Sequence, residues 1–566
     1  MNRPVIIGNC SGFYGDRLVA AREMVDGGAI DVLCGDYLAE LTMLILAKAQ
    51  AKDPSLGYAR TFLTQVEDVL GTCLERGIKI VSNAGGLNAA GLAAAIGALG
   101  TGAKVAYVEG DDLRGSLDAI TPAVEGEPVS ANAYLGGWGI AEALAAGADV
   151  VVTGRVTDAS LVVGPAAWWH GWARDDWDAL AGAVAAGHVI ECGPQATGGN
   201  YPFLDEITDR RYPGFPIAEV AADGSSVITK HPGTGGLVSV GTVTAQLLYE
   251  IAEPAYLGPD VTSHFDTLTL EQEAEHRVAI TATTGSPPPA TLKVALNDVG
   301  GFRNTMTLVL TGLDIEAKAA HAESLLFEVL GGRDRFAEAD VRLLRFDHPD
   351  AATNAEATAH LRVTVKDADQ RKVGRAFSNA TMELALGGYA GFHTTTPPTD
   401  ASAFGSYRPA AVPRTAVTHT VVLPGGERRI IADPPTGPVP ASAPGAMPAA
   451  TPGETRRVPL GRICGARSGD KGGNANVGLW TRDDGSYAWM CGFLTVEKVR
   501  ELLGPEAADL AIERFDLPHL RAVNVVVHGL LGAGVASSTR PDPQAKGLGE
   551  YLRSRLVDVP AALVAL

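Results

Sequence analysis

Five short runs of β-branched and other apolar residues punctuate the first part of the chain: VIIG from Val5, DVLCGD from Asp31, KIVSNAGG from Lys79, KVAYVEGDD from Lys104 and DVVVTGRV from Asp149. They are apolar in succession rather than in alternation, the pattern of strands covered on both faces. Stretches rich in Ala and Leu, such as AELTMLILAKAQA and GIAEALAAGA, separate them and read as helices. This order predicts an α/β domain over residues 1–290, a mostly parallel sheet with flanking helices. Open parallel sheets bind ligands beyond the carboxyl ends of their strands. Asn9, Asp36, Asn83, Asp111 and Arg155 fall at those ends.

From Lys293 the pattern changes. KVALND and NTMTLVLTG read as a strand pair, followed by a helix from Ile315 to Val329, strands at VRLLRFD and AHLRVTVKD, and a helix from Gln370. Such an order predicts an α+β domain over 291–432, with helices on one sheet face. Residues 433–457, DPPTGPVPASAPGAMPAATPGETRR, are too rich in Pro, Ala and Gly to bury a core and read as a linker. The tail, 458–566, reads as a small α+β domain with a helix from Val496 to Leu503 and a strand at AVNVVVHGLLG.

Charge narrows the function. The 46 Lys and Arg residues face 65 Asp and Glu, a net charge of −19 over 566 residues, which excludes a nucleic-acid surface built on phosphate neutralisation. No apolar run approaches the roughly 20 residues that span a bilayer, and the start lacks a secretory pattern, so the expected location is the cytoplasm, with no membrane partner. Six cysteines are scattered without C-x-x-C spacing, which fits free thiols and not a disulfide framework or a zinc site. No cofactor is called for. A Mg²⁺ on carboxylates such as Asp111 and Asp112 is left open, without a motif to support it.

Candidate chemistry lies in five stretches. In VIIGNCSGFYGDR, Asn9, Ser11 and Gly12 sit between a strand and a helix, where backbone N–H groups can approach a phosphate. The spacing departs from G-x-G-x-x-G, which speaks against a nicotinamide cofactor, and a tight turn is the alternative. In TGRVTDASL, Arg155 can meet a substrate anion and Asp158 can act as acid or base; equally, Thr157 or Asp158 can cap the next helix. In ECGPQATGGN, Cys192 follows a strand-like run as candidate nucleophile, Asn200 and nearby amides are candidate oxyanion donors, and His231 is the expected base. The alternative for Cys192 is a small buried hydrophobe. KHPGTGG offers Lys230, Thr234, Gly235 and Gly236 as a phosphate seat, or a plain turn. ARSGDKGGNANVGLW lacks the P-loop spacing and reads as a loop in which Asp470 pairs with Arg467 or Lys471. With Asn474 it can complete a site only if the tail folds back.

In this order GNCSGFYGDR, GDYLAELTM, SNAGGLNAAG, TGRVTDASL, ECGPQATGGNYP, HPGTGGLVSV and ARSGDKGGNANVGLW resemble the AtuA family, named for acyclic terpene utilisation. The resemblance covers nearly the whole chain, and the tail resembles the family's ferredoxin-fold domain. It implies catabolism of isoprenoids or branched acids through acyl-CoA intermediates. On that basis the chain is expected to be a lyase acting on a branched or β-hydroxy acyl-CoA, by hydration, dehydration or carbon–carbon cleavage. Gly12 and Gly235 would seat the nucleotide, Arg155 or Lys230 its phosphates, and Asp158 or His231 would move the proton. A homo-oligomer and an acyl-CoA carboxylase or hydratase partner are further expectations. The alternative is a non-catalytic scaffold subunit of an acyl-CoA-processing assembly.

Overall fold

The apolar runs form a parallel core. Strands β1 (Val5–Asn9), β2 (Val32–Gly35), β3 (Lys79–Ser82), β4 (Val105–Glu109) and, after β5 (Ser130–Ala133), β6 (Val150–Thr153) follow one another along the chain. In space the parallel order is β1-β2-β3-β6-β4, while β5 pairs with Val294–Asn297. The computed structural model in which this is seen describes residues 3–439 and 453–564. Successive strand residues serve opposite faces. Val32, Cys34, Val81 and Val151 join one core, and Leu33, Ile80, Val150 and Val152 the other. Continuous apolarity is what a sheet with two buried faces requires. Helices Ala20–Gly27, Arg60–Arg76 and Ala89–Gly97 bring Met24, Val66 and Leu92 to the second core. Helices Trp138–Ala145, Ser160–His170 and Trp177–Ile190 bring Ile140, Val162 and Ala185 to the first.

Antiparallel strands widen this core to eleven among the described residues. β7 (Pro216–Val220) lies beside β1, with β8 (Ser226–Lys230) and two further strands beyond it. Thr420–Val422 and Arg428–Ile430 extend the opposite edge from β4. Two readings of local structure change. GHVIEC, taken for a strand, ends the Trp177–Ile190 helix. Every residue from Leu180 to Ile190 is buried, so the helix carries no polar stripe and its apolar run imitates a strand. KVALND and NTMTLVLTG are one strand, Thr291–Thr311, not a pair.

A second compact unit comprises Asp298–Ser406 and Ala536–Pro541. Phe302–Thr311, Thr358–Asp367 and Glu338–Arg345 form its antiparallel sheet. Helices Ile315–Leu330 and Arg375–Gly387 pack around Leu308, Leu326, Val363 and Phe377.

The described tail outside Ala536–Pro541 belongs to the first unit. ARSGDKGGNANVGLW is a β-hairpin rather than a loop: Gly465–Lys471 pairs with Asn474–Trp480 across Gly472-Gly473. Gly472 has φ of 64°, the positive value that a two-residue hairpin turn demands and glycine adopts without a Cβ clash. Ala522–Val527 and Ile512–Leu517 complete a four-stranded antiparallel sheet. Helices Asp484–Phe493 and Val496–Leu503 share a core with it through Trp489 and Val499, in a ferredoxin-like domain. Residues 440–452 of the expected linker lie outside the described residues. Its end is ordered, as Thr455–Pro459 pairs with Leu556–Pro560. Among the described residues no helix is long and apolar enough to cross a membrane.

Two buried asparagines dock the tail. Asn476 Nδ2 donates to Leu248 O and to Asn524 Oδ1, both at 2.8 Å, while its Oδ1 accepts from Glu250 N at 2.8 Å. Asn524 Nδ2 donates to Ala252 O at 2.7 Å. The chain leaving helix Val240–Leu247 thus finds its backbone partners on the tail. Asn476→Ala leaves a buried carbonyl and a buried N–H unpaired, which costs about 2–4 kcal/mol. Urea unfolding of the full chain should show that loss, and a change below about 0.5 kcal/mol would mean the docking does not depend on this side chain.

Candidate functional site

The ends of β2, β3 and β6 converge on a polar floor. Asp36 is buried, and its Oδ1 accepts from Asn83 Nδ2 at 2.6 Å and from Leu38 N at 3.0 Å. Asn83 Oδ1 in turn accepts from Tyr37 N at 2.8 Å. Arg155 is 2% exposed and its guanidinium is committed within the protein: Nε to Val156 O at 2.7 Å, Nη1 to Leu38 O at 3.0 Å and Nη2 to Asp158. Through Nη2 it holds Asp158. Asp158 keeps about a third of its side chain exposed. Asp111, left open as a Mg²⁺ carboxylate with Asp112, accepts from Arg155 N and Asn132 Nδ2, both at 2.8 Å, and Asp112 pairs with Arg114 at 2.7 Å. Among the described residues no three His, Cys, Asp or Glu side chains are gathered as metal ligands.

The end of helix Trp177–Ile190 brings His188, Glu191 and Cys192 to this floor. On a helix, residues three and four apart share a face; His188 Nδ1 lies 3.4 Å from Glu191 Oε1. Asn9 Nδ2 reaches Glu191 O at 3.4 Å, while Asn9 Oδ1 holds Ser11 N at 2.9 Å. Gly12 presses on Cys192 so closely that a Cβ would stand 2.6 Å from its carbonyl carbon, a contact only glycine permits. The third contribution is the tail. Lys471 Nζ donates to Glu250 O at 2.8 Å, and the Arg467 guanidinium lies 4.4 Å from the Tyr249 ring centre. Lys546 bonds the Tyr249 hydroxyl, approaches Glu250 Oε1 at 3.7 Å and Asp470 Oδ1 at 3.9 Å. Asn474 Oδ1 accepts from Gly529 N at 2.9 Å, joining the hairpin tip to the following HGLLG turn.

Burial dominates the electrostatics. It pushes Asp36 well above the usual carboxylate range; the Asp158 charge adds to this and Arg155 opposes it. Glu191 is raised in the same way, by burial and then by Asp158 and Glu250. Both favour the neutral carboxyl. Burial, and then Glu191 and Glu250, also push the half-buried Cys192 thiol well above its ordinary value, the direction opposite to the one that activates a nucleophile. Its expected base lies elsewhere: His231 Nε2 is 2.8 Å from Met24 O, and the ring packs on Gly27 and Gly28. Asn200 is exposed at φ 57° and is not an oxyanion donor of this cluster.

Neither glycine loop is an open phosphate seat. The Asp16 carboxylate accepts from Gly12 N and Arg17 N, both at 2.8 Å, filling the β1 turn from within. In HPGTGG, Lys230 Nζ donates to Thr234 O at 2.7 Å and Thr234 Oγ1 to His231 O at 2.7 Å. Gly235 O accepts from Gly214 N at 3.0 Å, Gly236 N donates to Asp209 O at 2.9 Å, and the helix that follows is closed by a capping box between Ser239 and Thr242. The sequence reading overlooked Glu191, Glu250 and Lys546. A helical period through His188, Glu191 and Cys192 would have revealed the first; the loop around Lys546 carries no comparable signal.

A buried acid–base cluster at the ends of a parallel core, closed by a ferredoxin-like tail, is the class of site this fold defines. The family model for the acyclic terpene utilisation family protein AtuA matches residues 5–423, and that for the AtuA ferredoxin-like domain matches 458–558. The chain belongs to the AtuA family, whose name supports a role in terpene catabolism. No curated protein matches it.

His188 yields a pH test. Burial, and then the nearby Lys471 charge, bring the imidazole down to about 4, and it packs against Tyr256 and Phe265 with ring centres 5.2 and 5.5 Å away. Unfolded, it takes a proton near pH 6.5; folded, only near 4. The unfolded chain binds more protons across that window, so stability falls as pH falls through it, by about 3 kcal/mol for this group. His188→Phe keeps the ring packing and should flatten that part of the acid slope in urea melts taken between neutral pH and the acid end of the window. An unchanged slope would mean that His188 protonates freely in the fold.

Proposed function

We propose that the chain is a lyase of acyclic-terpenoid or branched-chain acyl-CoA catabolism, adding or removing water next to the thioester carbonyl or cleaving the neighbouring carbon–carbon bond. One observation carries this reading: two buried carboxyls whose burial favours the neutral form, Asp36 and Glu191, share the site with Asp158, the partly exposed carboxylate paired with Arg155. Groups of one kind in environments that separate their protonation states divide into acid and base. In dehydration of a β-hydroxy thioester, Asp158 takes the α-proton and Glu191 protonates the departing hydroxyl; hydration runs the same transfers backwards. Asn83 and Arg155 hold Asp36 and Asp158 in place. The recognition proposed is of the acyl end, because the glycine-loop amides named above already have partners in the chain.

The scaffold reading requires a tail available to another protein. Here the hairpin face is engaged with Leu248 and Glu250 of the same chain, which favours a composite site over a tether.

Incubation with branched β-hydroxyacyl and enoyl thioesters, followed by the ultraviolet absorbance of the conjugated enoyl group and by mass analysis for cleavage, tests the reaction. Glu191→Gln replaces the buried carboxyl with an amide of the same shape, so its melting temperature should stay near wild type while kcat falls by about 10²–10⁴-fold. Cys192→Ser should keep turnover within about tenfold, as expected of a thiol that is not activated. Absence of conversion of every thioester by the wild type sinks the lyase reading.

A further inference from the structure

Arg467 is the anomaly of the composite site. It lies on the Gly465–Lys471 strand of the tail, 7% exposed, and its Nε and Nη2 are closed to water with no hydrogen-bond partner among the described residues. A guanidinium does not shed its proton in a protein, so the charge remains. Two unpaired donors on a buried cation are a large desolvation penalty unless something else completes them. Nε–H and Nη2–H point from the same edge of the guanidinium plane, the pair that grips the two oxygens of a carboxylate in parallel. Stacking on Tyr249 at 4.4 Å uses the flat face and leaves that edge unaddressed.

We propose that Arg467 is the receptor for a carboxylate borne by the ligand of this site, and that the tail thereby supplies part of ligand recognition. The proposal rests on the reading of this cluster as a substrate site. It narrows the substrate class to small branched molecules with an ionised carboxylate distinct from the reacting carbonyl. Three tail cations, Arg467, Lys471 and Lys546, gather there with Glu250 and Asp470. Burial lowers the pKa of both Arg467 and Lys546, the direction expected of desolvated cations. Lys546, 38% exposed, lies 4.5 Å from the centre of the same Tyr249 ring.

The test is binding to the full chain, read by calorimetry and by the melting temperature, with three probes: 3-methylbutanoate, its uncharged amide, and inorganic phosphate. The acid should bind saturably, the amide and phosphate at least tenfold more weakly. Arg467→Gln should weaken the acid at least tenfold, and Arg467→Lys, which keeps charge but lacks the parallel donor pair, should recover only part of the loss. The acid–amide comparison on the wild type needs no variant and decides the matter if Arg467→Gln does not fold. The proposal is overturned by equal binding of acid and amide, by phosphate binding as well as the acid, by unimpaired binding to a folded Arg467→Gln, or by no saturable binding of the acid up to roughly 100 mM, a range suited to so small a fragment. Because none of these readouts needs turnover, acid binding with no thioester conversion removes the lyase reading alone. Thioester conversion with no acid binding removes Arg467's role alone.

Discussion

The arrangement depends on the hydrogen bonds that Asn476 and Asn524 make to the backbone from Leu248 to Ala252. Both side chains are buried, and each joins the tail to the segment that follows helix Val240–Leu247. Buried backbone groups must find partners, and the end of a helix always leaves some without. By meeting that need from another part of the chain, the tail acquires a fixed register on the first unit. Arg467 and Lys471 lie on the hairpin strand paired with the one that carries Asn476, so docking and delivery of charge are one structural event.

The second constraint is the helix Trp177–Ile190. Its buried residues from Leu180 to Ile190 place its end under the strand carboxyl termini, and Glu191 arrives there already desolvated. Gly12 makes this possible, since any side chain at that position would collide with the backbone of Cys192. Buried carboxyls, an ion-paired carboxylate and a cationic tail then occupy one neighbourhood. Electrostatic interactions are strong there because burial weakens their screening by solvent.

The glycine loops have a different purpose from the one their composition suggests. Asp16 closes one, and the carbonyls of Asp209 and Thr234 engage the other, so both are held by partners within the chain. Glycine enrichment marks close backbone approach, and the partner that approaches can be the protein itself.

How the chain divides into sheet and helix was written in its apolar runs, because a strand buried on both faces and a helix buried all round must each be apolar. That same fact concealed the nature of GHVIEC, where a helix without a polar side looks like a strand. Asp36, Asn83 and Arg155 were legible as strand-end residues from position alone. The hairpin in ARSGDKGGNANVGLW was not, since its strands are small and polar and declare themselves only when paired. Family membership also lay in the motifs, as the matched regions show. What only the tertiary structure decided was which charges meet. Glu191, Glu250, Arg467 and Lys546 are far apart in sequence, and their protonation and pairing follow from burial and distance, which exist only once the tail has docked.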